Sequence, residues 1–92
     1  MRQEHAEEIG RAVLIWLGNH EDLFPVFLNS TGAAADEIAR KAYDPEFLAA
    51  VLDFLLMDDV WVMAFCEQAD LPPEHAVAAR AALPGGGEVH WT

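Results

Sequence analysis

Apolar residues recur at three- and four-residue steps along most of the chain. Nowhere do they alternate at period two beside hairpin turns. The pattern therefore predicts helices throughout. A first helix is expected over about Gln3 to Leu17, where Ile9, Val13 and Leu17, with Ala12 and Trp16, fall on one face. Glu4, Glu7 and Glu8 crowd its N-terminal turns, where the helix dipole favours negative charge, and Gly18-Asn19 suits its end. A second helix carries Leu23, Phe24, Phe27 and Leu28. Asn19 is a candidate cap for it, but Pro25 either kinks this helix or marks its start, because proline lacks the amide a helix interior needs. Thr31-Gly32 ends it. A weaker third helix is expected over about Ala34 to Ala42, with Ile38 its one large apolar residue.

Asp44-Pro45-Glu46 reads as a strong helix start: a cap, a proline at the first helical position, and an acid behind it. The helix it opens, FLAAVLDFLLM, is apolar around most of its circumference and is expected to be central, with Phe47, Leu48, Val51, Leu52, Leu55 and Leu56 buried. Glu46, Ala49, Asp53 and Met57 share the opposite stripe. Asp58 caps a fifth helix that turns Trp61, Val62, Phe65 and Cys66 inward and Asp59, Met63 and Glu67 outward. Pro72-Pro73-Glu74 opens a sixth, whose small face of Ala76, Val77 and Ala81 allows close approach, and Leu83-Pro84 ends it. The expectation is an all-α fold: a bundle of five to six short helices formed by residues 1–83, followed by a Gly-rich tail, 84–92. A shift of thirty-eight residues lays Ala12-Val13-Leu14 on Ala50-Val51-Leu52, Leu17 on Leu55 and Phe27 on Phe65. Two unrelated amphipathic hairpins align as well as this; a true repeat would give two three-helix units about a pseudo-twofold axis.

Composition sharpens this picture. Ninety-two residues, 53% of them hydrophobic, are enough for one core without metal or disulfide support. Sixteen Asp and Glu against five Lys and Arg leave a net charge of −11. That charge opposes binding to phosphate backbones and to anionic membranes, and favours another protein with a basic surface. Cys66 stands alone, so no internal disulfide forms. The opening MRQEHAEE is acidic and polar rather than basic then apolar, and a cytoplasmic setting is expected.

Candidate chemistry is sparse. Asp53 interrupts the most apolar helix, but its stripe points to a solvated or inter-helix hydrogen-bonding role. Asp58-Asp59 opens a helix, which capping explains without a cation. His5, His20, His75 and His90 are scattered, and zinc needs three or four converging ligands. Cys66 lies on an apolar face with no helix N-terminus, Lys or Arg near it in sequence to lower its pKa; a small enzyme using Cys66 is an alternative reading. The FLNSTGAAADEIARKA segment resembles a helix-turn-helix with Gly32 at the turn and Arg40-Lys41 on the second helix, which makes a nucleic-acid-associated regulator another alternative. Asp36 and Glu37 on that same helix oppose it. Gly85-Gly86-Gly87 follows a helix and lacks the Lys and Ser or Thr of a phosphate loop. Beyond it, His90 and Trp91 put an amphipathic aromatic group near the end of the chain, fit either to fold back on its own domain or to dock in a partner.

AVLDFLLMDD, LPPEHAVAARAALPGGG and the terminal HWT, with FLNSTG in the first half, resemble the short alphaproteobacterial proteins grouped as domain-of-unknown-function family 3572. The likeness covers nearly the whole chain, and Leu52-Asp53-Phe54 and His90-Trp91-Thr92 are its most specific features. Pro25 and Ala33 to Ala35 depart from it. The resemblance implies no activity, cofactor or catalytic residue. The resulting expectation is a non-catalytic interaction or regulatory module without cofactor or metal. Its candidate interaction residues are Asp53, Asp58, Asp59, His90 and Trp91, its partner is a protein with a basic surface, and a homodimer is a further option through the apolar excess.

Overall fold

The computed structural model describes residues 1–85 of the chain. Six helices and one 3-10 turn account for most of them, and none of the described residues is in a strand. Helix α1 (Gln3–Gly18) ends where the Asn19 amide is shared between the Ile15 and Trp16 carbonyls, 3.2 Å from each. Asn19 therefore terminates α1 and does not cap the next helix. His20–Leu23 form a separate turn, in which the His20 carbonyl accepts from the Leu23 and Phe24 amides at 3.1 and 2.9 Å. Helix α2 (Phe24–Thr31) then begins with Pro25 in its first turn, where the missing amide has no partner to lose. Of the two expectations for Pro25, the start of the helix is the one observed. Gly32 closes α2 at φ 75°, a left-handed conformation that glycine adopts without a Cβ clash.

The third element is shorter than its sequence suggests. A 3-10 turn at Ala35–Glu37 leads into a single α turn, α3 (Ile38–Lys41). Ile38 alone is too little apolar surface to hold a longer amphipathic helix against the core. The Glu37 carboxylate accepts the Ala34 amide at 2.9 Å. That bond, helped by Lys41, holds the Glu37 carboxyl below its ordinary pKa. Helix α4 (Pro45–Leu55) is capped by Asp44, whose Oδ1 accepts the Glu46 amide at 3.0 Å. Helix α5 (Asp59–Ala69) is capped by Asp58, which accepts the Val60 amide at 2.8 Å. It stops at Asp70, a non-glycine residue at φ 58°. Helix α6 (Pro73–Ala81) completes the regular structure of the described residues.

Helix α4 is the centre. Phe47, Leu48, Ala49, Val51, Leu52, Phe54 and Leu55 are buried along it. Its most extensive neighbour is α1, which contributes Ala6, Ile9, Val13, Leu14, Trp16 and Leu17 to the same core. Gly10 makes this crossing close: a Cβ there would sit 3.1 Å from the Leu48 Cβ. Phe27, fully buried, joins α2 to this pair through edge-on contacts to Phe47 and Phe54, with ring centroids 6.0 and 5.5 Å away. Phe54 in turn stacks on Trp61 at 4.9 Å, which ties α5 to the cluster.

Two faces differ from expectation. Ala49 is buried although it shares a stripe with exposed Glu46, Asp53 and Met57, because α6 packs on that side of α4. On α6 the inward face is Ala76, Ala79 and, beyond the helix, Leu83, while Val77 and Ala81 point out. The thirty-eight-residue echo does not carry through to equivalent packing of the two halves. The two leading helices, α1 and α4, pair with each other, but α6 also lies along α1 whereas α3 makes no comparable contact with α4.

The two glycines of α1 separate close packing from backbone freedom. Gly10→Leu forces side-chain volume into the α1–α4 crossing and is expected to cost about 1–3 kcal/mol. Gly18→Ala meets nothing within 4 Å and is expected to change stability by less than about 1 kcal/mol, with stabilisation the expected sign. Urea denaturation of both variants checks the contrast.

Candidate functional site

Asp53 faces outward from α4, and its Oδ1 accepts Arg80 Nε at 2.6 Å across to α6. Arg80 also donates to the Pro84 carbonyl at 2.9 Å, so one guanidinium fastens α4, α6 and the chain just after α6. Asp53 is thus an inter-helix hydrogen-bonding aspartate, one of the two roles its stripe allowed. Such a part-exposed pair is worth at most about 1 kcal/mol. Asp58 is engaged in its cap, while Asp59, in the first turn of α5, is exposed. His90 and Trp91 lie outside the described residues.

The remaining nucleophile and histidines lie on different elements, Cys66 on α5, His5 on α1, His20 just after α1 and His75 on α6. Cys66 is buried on α5, its thiol 4.0 Å from the Pro72 carbonyl. Burial pushes the Cys66 thiol up, and the negative charge of Glu74 adds to the effect. His20 Nδ1 lies 2.7 Å from the Trp16 carbonyl, with its ring against the Trp16 ring at 4.2 Å. His5 pairs with exposed Glu8 at 3.5 Å. His75 Nδ1 is buried and has no hydrogen-bond partner among the described residues. Among those residues no group of three or more His, Cys, Asp or Glu is gathered to hold a metal. No helix among them is long and apolar enough to cross a membrane.

The helix-turn-helix likeness does not produce a recognition helix. The segment that would enter a groove is the four-residue α3, with Lys41 lying 5.6 Å from the Phe47 ring centroid and 3.9 Å from Glu37. A helix of one turn cannot present the several base-contacting positions that a groove-reading helix uses.

The surface features that stand out are apolar. A shallow groove of about 210 Å³ runs between α1 and α5, lined by Ala12, Ile15, Trp16 and Phe65 and edged by Asn19 and Gln68. A larger one, about 420 Å³, lies where α5 faces α6. Leu56, Val62, Met63 and Val77 form its apolar lining, and Asp59 and Glu74 its charged edge. Met63 and Val77 are 57% and 59% exposed there, and Met57 and Val60, close by in sequence, are 71% and 72% exposed. Sequence reading placed Asp59 and Met63 on the outer stripe of α5. It missed the groove because it turned Val77 inward. The i, i+3 spacing of Ala76 and Ala79, continued by Leu83, was the signal for the true inward face.

What these elements define is a small all-helical bundle with an acidic exterior and an apolar surface groove. The family model described as "Protein of unknown function (DUF3572)" matches residues 3–86, and the chain belongs to this family. No curated protein and no solved structure matches the chain.

The Cys66 environment sets a pH window. A thiol whose folded pKa is raised adds stability that is present below its unfolded pKa and lost as pH rises through the raised value. At neutral pH little thiolate forms, so a thiol reagent is expected to label Cys66 slowly in the native protein and rapidly after denaturation. Rapid native labelling would reopen the reading of Cys66 as a nucleophile.

Proposed function

We propose that this protein is a non-catalytic protein–protein interaction module whose partner presents a basic surface. The observation that carries the reading is the coincidence of exposed apolar side chains with acids that have no internal counter-charge. Four of the five basic residues, Arg2, Arg11, Lys41 and Arg80, already lie within 4.0 Å of an acid. Most of the sixteen acids are left facing solvent. Large apolar residues such as Met57, Val60, Met63 and Val77, exposed side by side with those acids, favour a partner that supplies both apolar contact and positive charge. Burial and a raised pKa make Cys66 a poor nucleophile, which supports a binding role over a catalytic one. A single cysteine with no pairing partner suits a reducing cytoplasm.

The test is affinity purification with the full chain as bait, beside an unrelated helical protein of equal net charge, read by mass spectrometry at low and high salt. Proteins enriched by this chain over the control, and progressively lost as salt rises, are the expected result. Recovery of the same proteins on both baits would mean that charge alone attracts them, and would remove the proposal.

A further inference from the structure

We propose that the groove between α5 and α6 is a docking site for one amphipathic, basic helix of a partner protein. The inference rests on the interaction-module reading and deepens it by naming the site and the shape of what fills it.

Three observations select that occupant. The first is chemical. The groove has an apolar lining, with carboxylates at its edge from Asp59 on α5 and Glu74 on α6. A helix with one greasy face and flanking Lys or Arg matches both parts together, in the helix-in-groove mode. A small polar ligand would need convergent hydrogen-bonding groups, and the described lining offers only the two edge carboxylates.

The second observation is electrostatic. Between Lys41 and Arg80 the chain contains no Lys or Arg, yet it carries Asp44, Glu46, Asp53, Asp58, Asp59, Glu67, Asp70 and Glu74. Helices α5 and α6 thus reach as far as Arg80 with acids alone, and Arg80 itself is bound to Asp53. A second copy of this chain would bring like charges together at such a face. A basic partner would not. The smaller groove beside Ile15 has uncharged amides at its edge and gives no such preference.

The third is size and pliability. On α5 the lining runs from Asp59 to Met63 and on α6 from Pro73 to Val77, somewhat more than one turn of each helix at about 3.6 residues per turn, so one face of a short partner helix covers it. Met63, in the groove, is a flexible, polarizable side chain that can adjust to an incoming helix.

The experiment uses the full chain and a fluorescent synthetic peptide of about three helical turns, with leucines on one face and arginines on the other. Fluorescence anisotropy is expected to show saturable binding that weakens roughly tenfold, about 1.4 kcal/mol, in the Met63→Ser/Val77→Ser double variant. It should weaken severalfold in Asp59→Asn/Glu74→Gln, with a flatter salt dependence, and stay unchanged in Ile15→Ser. Circular dichroism confirms that each variant is folded; all of these positions except Glu74 and Asp59 are exposed apolar ones, and those two are exposed acids. Equal binding by the double variant, or equally tight binding of the same peptide in scrambled order, would overturn the inference. So would a Met63- and Val77-dependent dimer in sedimentation, which assigns the face to a second copy. Tenfold tighter peptide binding after truncation at Pro84 would instead assign the groove to residues 86–92 of the chain itself. Host-cell proteins retained selectively by both the native chain and the double variant would sink the groove while leaving the interaction module standing. If neither retains any beyond the charge-matched control, the module itself fails.

Discussion

The close crossing of α1 on α4 is the constraint on which the rest of this protein depends. Helix α4 is apolar on nearly every side and cannot remain in water, so other helices must cover it. Gly10 lets α1 approach to where a side chain would meet Leu48. Phe27 then brings α2 against the same helix, and Trp61 brings α5 through its stack on Phe54. Helix α6, with only alanines and Leu83 to bury, fits over what remains of α1 and α4. Each later element is positioned by a surface that the first pair created.

This order explains why the groove exists. Helix α5 commits Val62, Phe65 and Cys66 to the interior, and α6 commits Ala76 and Ala79. Alanines let α6 sit close to α1, α4 and α5, and they fill little of the space beside α5. Met63 and Val77 are left facing outward from neighbouring helices with nothing large between them. Acids border that gap, because Asp59 opens α5 and Glu74 opens α6, where the helix dipole favours negative charge. Helix-start chemistry and surface chemistry thus coincide at the edge of the groove, in Asp59 and Glu74.

Much of the fold was legible in the residues themselves. Asp44-Pro45 and Asp58 announced helix starts through capping that needs no tertiary context, and the wide apolar arc of α4 announced its burial. Less legible were elements decided by neighbours. The brevity of α3 follows from Ile38 having too little to pack. The burial of Ala49 follows from α6 lying over a stripe that otherwise looks solvent-facing. Asp70, at a left-handed backbone position, ends α5 without the glycine that normally marks such a stop. Among the candidate interaction residues, Asp53 was correctly narrowed to two roles, but Arg80 as its partner is twenty-seven positions away and invisible to periodicity. The groove was illegible for a similar reason: it is formed by the outward residues of two helices, and only packing brings them side by side.

On the proposed reading, the acids on α4, α5 and α6 other than the Arg80-bound Asp53 repel one another without internal compensation and leave that face to a basic partner. Thermal unfolding at neutral pH, followed as sodium chloride is raised from very low ionic strength, tests this most directly. Screening should raise the midpoint temperature, because repulsion within the folded chain is relieved first. A midpoint that falls with added salt would mean that attraction within the chain outweighs repulsion, and the surface would have no unmet charge to offer.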